Sequence, residues 1–339
     1  MKLGIIGSGM IVHDFLQTAD KITNMKITAI STTERSQHVA QSLAKQYNIK
    51  DVFTNNELLC NDNNVDTVYV AVPNSLHYQV VKQAILAGKN VICEKPYVAT
   101  VAEAAELKQL ADQHKVIILE AITNIHLKNY QAIKKIINKI GPIHIICLNY
   151  TQYSSRYDDF LANKIAPVFD PTKGGGTLMD LNIYNIHLVV GLFGKPISVQ
   201  YYPVMQKGVD TSGSLNLVYP DKQAILIAAK DCYTTPRSFI EGEKGSIYFD
   251  GSTGVINDFT VEMRNGETNR LRFNQYSHRM ASEFNNFSKI IDQHDQQMAN
   301  KLYKHSTAVI EVLAKAKASI KNWFFYIKKQ SKETTYITK

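Results

Sequence analysis

The feature that most constrains this chain is the regular alternation of short apolar runs with helix-like stretches over its first 120 residues. Runs suited to buried strands occupy Lys2–Gly7, Met25–Ser31, Asp66–Val72, Asn90–Glu94 and Val116–Glu120. Their brevity and β-branched content favour strands buried on both faces over buried helices. Between them, Met10–Ala19, Glu34–Tyr47, Ser75–Ala87 and Val101–Asp112 carry helical patterns. Strand–helix alternation at this spacing predicts an α/β domain built on a doubly wound parallel sheet with right-handed crossovers. A helical stretch at Tyr130–Ile140 then leads to Gly141-Pro142, where the character of the sequence changes.

Beyond Pro142 the pattern favours strands joined by turns, at Ile143–Tyr153, Ile197–Met205, Ser214–Val218, Gln223–Ala229, Ser246–Asp250 and Phe259–Arg264. Pro220-Asp221 and Asn265-Gly266 supply turn chemistry, so a large, mostly antiparallel sheet is expected. Helices are expected near Asp180–Leu192, His278–Ile291 and 297–320. The division this implies is a Rossmann domain over 1–122, an α+β domain over 123–320, and a basic tail over 321–339. Two domains agree with a length of 339 residues. The net charge of +8 owes much to lysines near the C-terminus and is weak support for nucleic-acid binding. Neither a nucleic-acid nor a membrane partner is expected. Cys60, Cys93, Cys147 and Cys232 form no CxxC pair, and the histidines show no ligand spacing, so no metal is expected. The absence of a secretory pattern and of a long apolar run points to a soluble, cytoplasmic protein.

The first strand ends in Gly7-Ser8-Gly9-Met10-Ile11-Val12, directly before an amphipathic helix. At such a junction the first glycine makes the tight turn, and the second lets the backbone approach a pyrophosphate at the helix N-terminus. Val12 stands where a third glycine often sits. A dinucleotide cofactor is the expected ligand. The next strand end reads Ser31-Thr32-Thr33-Glu34-Arg35, with neutral Ser31 where an acid would hold a ribose 2′-hydroxyl. Hydroxyls at Ser31 and Thr32 with the charge of Arg35 suit a 2′-phosphate, so NADP is favoured over NAD. Thr33 as a plain helix cap is the competing reading. Two more segments fall where parallel strands should end, Val72-Pro73-Asn74-Ser75-Leu76-His77 and Cys93-Glu94-Lys95-Pro96. Ligands bind along that edge of such sheets, which makes Val72, Pro73, Asn74, His77, Glu94 and Lys95 candidate cofactor contacts beside Gly7, Gly9, Met10 and Ile11.

The glycine turn, the Glu-Lys-Pro step and the run Gly174-Gly175-Gly176-Thr177-Leu178-Met179-Asp180-Leu181-Asn182-Ile183-Tyr184 together resemble the Gfo/Idh/MocA family of NAD(P)-dependent oxidoreductases. The motifs follow in family order over roughly 1–320. Tyr184 in place of His is similar to the glucose–fructose oxidoreductase and dihydrodiol dehydrogenase branches. The resemblance implies hydride transfer between nicotinamide and a secondary hydroxyl or carbonyl of a sugar, cyclitol or related polyol, in a cleft between domains. It implies Lys95, Asp180 and Tyr184 as the catalytic group, and a homodimer or homotetramer. Asn182 replaces the family's usual Gly, and Ile125 stands near where many members have Arg. Asp180 and Tyr184 are i and i+4, so a helix would present both on one face. His187, three residues further on, is the alternative acid/base, against a plain packing role. Arg156, in the polar run Tyr153–Asp159, is a candidate substrate contact. The alternative to an enzyme is a dinucleotide-sensing regulatory protein on the same fold.

Overall fold

In a computed structural model, backbone is described for residues 1–337 and side chains for residues 1–320. The side chains of the basic 321–339 tail therefore lie outside the described residues. The first part of the chain runs β1 (Lys2–Ile6), α1 (Met10–Leu16), β2 (Lys26–Ser31), α2 (Gln37–Tyr47), β3 (Asp51–Phe53), α3 (Asn56–Asn61), β4 (Thr67–Val70), α4 (His77–Leu86), β5 (Asn90–Glu94), α5 (Val101–His114) and β6 (Ile118–Ala121). The second part holds α6 (Lys128–Ile136), β7 (Ile143–Thr151), α7 (Tyr157–Leu161), α8 (Ile183–Phe193), β8 (Ser198–Gln206), β9 (Val209–Val218), β10 (Gln223–Ala229), β11 (Arg237–Gly242), β12 (Gly245–Asp250), β13 (Phe259–Met263) and β14 (Thr268–Leu271). Two helices follow, α9 (Arg279–Asp292) and α10 (Gln296–Ile337).

The first sheet has the order β3-β2-β1-β4-β5-β6, with every pairing parallel. This is the expected doubly wound sheet, and the strand order reverses beside β1. The helix ends follow local chemistry. Thr100 and Glu103 form a reciprocal capping box at the start of α5, and the Asn55 carboxamide caps α3. The strand β3 and the helix α3 were not expected, because three residues facing partly buried surroundings carry too little apolar pattern.

The chain divides into two compact units, and the expected boundary needs correcting. Residues Asn274–Ile310 belong with Met1–Lys128 in the first unit rather than with the second. Packing explains this. Phe284 of α9 packs against Phe15 (4.3 Å between ring centres) and edge-on against Tyr69 (5.1 Å), and Phe287, Ile290 and Ile291 enter the same core. At the N-terminal end of α9, His278 and Arg279 both reach the Asp14 carboxylate.

The second unit holds an eight-stranded sheet in the order β14-β13-β12-β11-β7-β10-β9-β8. All its pairings are antiparallel except β7 with β10. One face carries buried Ile146, Leu148, Tyr201, Leu215, Leu217, Ala224, Leu226 and Ile240. The helix α8, apolar on nearly all sides, packs on β7 and β10. The period-2 alternation leaves Ile145, Val204 and Ile225 exposed along the other side of the strands.

Candidate active site

The two glycines of the first turn are held to that residue type by different causes. Gly7 has φ +123°, and a Cβ there would lie 2.2 Å from the Ala71 carbonyl oxygen. The protein itself demands glycine at this point. Gly9 has extended backbone, with φ −78°. A Cβ there would meet nothing within 4 Å. No protein atom requires a glycine, yet the residue sits immediately before α1. Open space at a helix start is what an approaching anion needs, so the turn fits a dinucleotide pyrophosphate. Met10 is 68% exposed and Ile11 is half-buried, whereas Val12 is fully buried in the core.

The expectation for Ser31 does not hold. Its side chain is fully buried and its hydroxyl donates to Asn56 Oδ1 at 2.8 Å, so it is already engaged within the protein. The hydroxyl of Thr32 lies instead 3.0 Å from the Ser8 hydroxyl, beside the glycine turn. Thr33 and Arg35 are exposed on the following turn.

The ends of β4 and β5 are tied together by His77. Its Nδ1 lies 2.8 Å from the Pro96 carbonyl and its Nε2 lies 2.8 Å from the Val72 carbonyl. The ring is fully buried, so His77 braces the two ligand-edge segments from behind rather than facing a cofactor. Burial and the nearby Lys95 charge push its imidazolium form down, although both carbonyls favour it. Asn74 is similarly used: its amide donates to the Gly174 carbonyl at 3.0 Å. Pro73 is exposed, Val72 is half-buried, and the Lys95–Pro96 peptide is cis. Behind Lys95 lies a group of enclosed carboxyls. Glu94 accepts from the Tyr69 hydroxyl at 2.6 Å, and burial pushes its pKa up. Glu120 accepts from the Tyr97 amide at 3.2 Å and is pushed up to about 7 by burial, with Glu94 raising it and Lys95 opposing. Glu283 is driven up by burial and by the other two carboxyls. The sequence reading did not anticipate this cluster, since Glu120 and Glu283 lie 163 positions apart.

The last two residues of the triple glycine, Gly175 and Gly176, lie in the second unit and are sterically required. A Cβ on Gly175 would lie 2.6 Å from the Pro167 carbonyl oxygen. One on Gly176, at φ +114°, would lie 2.0 Å from Asp210 Oδ1. The run leads into a π-helical turn, Leu178–Asn182, continued by α8. The expected uniform helix over Asp180 and Tyr184 is thus wider at Asp180, and turns of this kind are frequent at functional sites. Asp180 forms an ion pair with Lys230 at 2.8 Å. Tyr184 is 6% exposed, with its ring 5.4 Å from that of Tyr150. Asn182, at the family's glycine position, donates to the Leu226 carbonyl, and Asn185 donates to Ile227, so both tie the helix to β10. His187 is fully buried, which favours its packing role over the acid/base alternative. Arg156 is exposed at the start of α7. Lys230 and Asp210 were missed at the level of sequence. Among the described residues no group of three or more His, Cys, Asp or Glu could hold a metal ion, and no helix is long and apolar enough to cross a membrane.

Comparison with known proteins agrees with this geometry. Residues 1–122 match an oxidoreductase family with an NAD-binding Rossmann fold, and residues 130–248 match the GFO/IDH/MocA C-terminal domain. Over 318 residues the chain is 28% identical to the scyllo-inositol 2-dehydrogenase (NADP(+)) IolU of Bacillus subtilis, covering 94% of this chain and 96% of the relative. It is 27% identical to the trans-1,2-dihydrobenzene-1,2-diol dehydrogenase of Xenopus tropicalis, covering 73% and 74% respectively. The crystal structure of KijD10, a 3-ketoreductase from Actinomadura kijaniata in complex with NADP and TDP-benzene, superposes with a TM-score of 0.83 at 18% identity, covering 94% of this chain and 97% of that one. The chain therefore belongs to the Gfo/Idh/MocA family of NAD(P)-binding oxidoreductases.

Proposed function

We propose that this oxidoreductase interconverts a secondary hydroxyl and its carbonyl form on a sugar, cyclitol or related polyol, with Tyr184 as the proton-exchanging group. The observation that carries the reading is the placement of Tyr184 one turn beyond Asp180, on a helix whose entry requires three consecutive glycines. Bound nicotinamide supplies the acceptor or donor of hydride. The phenolate of Tyr184 takes the hydroxyl proton during oxidation, and the phenol so formed gives it back during reduction. An ordinary phenol, with a pKa of roughly 10, holds its proton too tightly for this at neutral pH unless a cation stabilises the phenolate. Lys95 is assigned that charge and the contact to the substrate oxygen, while Asp180 orients the group. His187 and Arg156 are not needed for the proton step.

NADP is the proposed cofactor. The last residue of β2 is the neutral Ser31 rather than an acid, and beyond it the exposed Thr33 and Arg35 offer a hydroxyl and a positive charge, with Glu34 between them. IolU, with its NADP-dependent name, supports both this choice and the cyclitol substrate class. The exposed apolar residues on one side of the eight-stranded sheet support a homodimer or homotetramer. The test is a panel of cyclitols, aldoses and cyclic diols offered with NADP+ and with NAD+, followed by absorbance of the reduced nicotinamide. Turnover of at least one polyol, faster with NADP+, is expected. Tight cofactor binding with no turnover of any hydroxyl substrate would favour a sensor instead.

A further inference from the structure

We propose that Lys230 is a positioning residue for the catalytic helix, acting through Asp180, an inference that rests on the roles assigned above to Asp180 and Tyr184. Lys230 immediately follows the last residue of β10, and its backbone is fixed on both sides. Its N–H donates to the Thr211 carbonyl at 2.8 Å, and its carbonyl accepts from the Ser154 N–H at 2.9 Å. The side chain is only 1% exposed. Its ammonium lies 2.8 Å from Asp180 Oδ2 and 2.8 Å from the Val168 carbonyl oxygen, and 4.9 Å from the centre of the Phe169 ring. One cation thus grips the carboxylate of the π-helical turn and the loop that leads into the triple glycine.

The same sheet edge holds the start of that turn with an anion. Asp210 of β9 accepts from the Leu178 N–H at 2.7 Å and from the Tyr201 hydroxyl at 2.8 Å. The neighbouring Asp231 is engaged elsewhere, accepting from Gln206, Thr211 and Ser212. The arrangement is asymmetric: the ammonium is sealed, whereas the Asp180 side chain keeps 28% of its surface accessible. A buried ion pair contributes little net stability, because desolvation offsets the attraction. Its consequence here is directional. The sealed ammonium draws one carboxylate oxygen toward the sheet and so sets the orientation in which Asp180 meets its surroundings. With the wide turn pinned at Leu178 and Asp180, Tyr184 inherits a fixed position one turn later.

The experiment is a double-mutant cycle on the full-length enzyme with a turned-over substrate. Lys230→Met, Asp180→Asn and the combined variant are compared for kcat, KM and cofactor affinity. Residues in direct contact couple, which corresponds to roughly 2- to 150-fold in rate. Lys230→Met should lower kcat within that range and leave cofactor affinity unchanged, and the combined variant should match Asp180→Asn alone. Independent, multiplying losses would overturn the proposal, as would a Lys230→Met enzyme with wild-type kcat. If Asp180→Asn itself keeps wild-type kcat, the fault lies in the active-site assignment rather than in the role of Lys230. Should Lys230→Met fail to fold, the combined variant, which leaves no lone charge, decides the matter against Asp180→Asn. Equal kcat supports the proposal and a further large loss overturns it.

Discussion

Replacing Gly9 by valine separates the needs of the fold from the needs of the ligand. At Gly7 the fold alone forbids a side chain, because a Cβ would collide with the Ala71 carbonyl and φ is +123°. At Gly9 neither obstacle exists. The backbone is extended, with φ −78° and ψ −179°, and a Cβ meets no atom within 4 Å. A side chain there also reduces the freedom of the unfolded chain, so Gly9→Val should melt within about 1 kcal/mol of wild type, in either direction. Binding should respond very differently. The branched carbons fill the space through which a pyrophosphate reaches the start of α1. Charge-assisted hydrogen bonds contribute about 1.5–3 kcal/mol each. Losing two of them corresponds to a fall in NADPH affinity of roughly 100-fold or more. Calorimetric or fluorescence titration of NADPH, beside a thermal melt of the same sample, reads both quantities. A folded Gly9→Val protein that binds NADPH as tightly as wild type would refute the placement of the pyrophosphate. A protein that unfolds would refute the claim that the open space belongs to the ligand.

Two further outcomes follow from the same geometry. Arg35→Gln should weaken NADPH by about 10- to 100-fold, the equivalent of one charge-assisted contact, and leave NADH unchanged; equal effects on both cofactors would remove Arg35 from the 2′-phosphate. Glu120 is a carboxyl raised by burial from 4.5 to about 7 in the folded protein. The folded state therefore holds its proton where the unfolded state has released it, and this group costs stability as pH rises from about 4.5 through 7, by about 3 kcal/mol at the upper end. Relative to wild type, Glu120→Gln should gain stability across that window and show a constant difference below it, as read by denaturant melts from pH 4 to 8. His126, pushed down to about 3 by burial, acts in the opposite sense, losing stability as pH falls below its ordinary value of 6.5. Only the difference between the two proteins therefore isolates Glu120.

What could be read from sequence was what local pattern encodes. The five apolar strands and the glycine turn announced the parallel sheet, and the two motifs read as strand ends do lie at the ends of β4 and β5. Residues that act through long-range register stayed hidden. Lys230 appears in sequence as one lysine after the apolar run Ile225–Ala229, and Asp210 as one acid after a turn; only the pairing of β9 with β10 brings both to the turn that leads into α8. A lysine directly abutting a buried strand was the available signal. The helix α9 was recognisable as amphipathic, but not which core it would join, because its partners Phe15 and Tyr69 lie more than 200 residues earlier. The strand β14 escaped notice because its residues Thr268–Leu271 are largely exposed and mostly polar. Ser31 misled for a subtler reason. Residue type gave it a hydroxyl suited to phosphate, but the strand's alternation turns that hydroxyl inward, to Asn56.

The central claim is that Tyr184 exchanges the substrate proton, and the most direct test is the turnover number of Tyr184→Phe. The substitution keeps the ring that packs on Tyr150 and removes only the hydroxyl. A positioned acid/base group contributes about 10²- to 10⁴-fold. With the best polyol found, kcat should fall by that factor while NADPH affinity and melting temperature stay at wild-type values. A Tyr184→Phe enzyme that retains most of its activity would contradict the account, and if His187→Gln abolished turnover in the same assay, the proton would belong to His187.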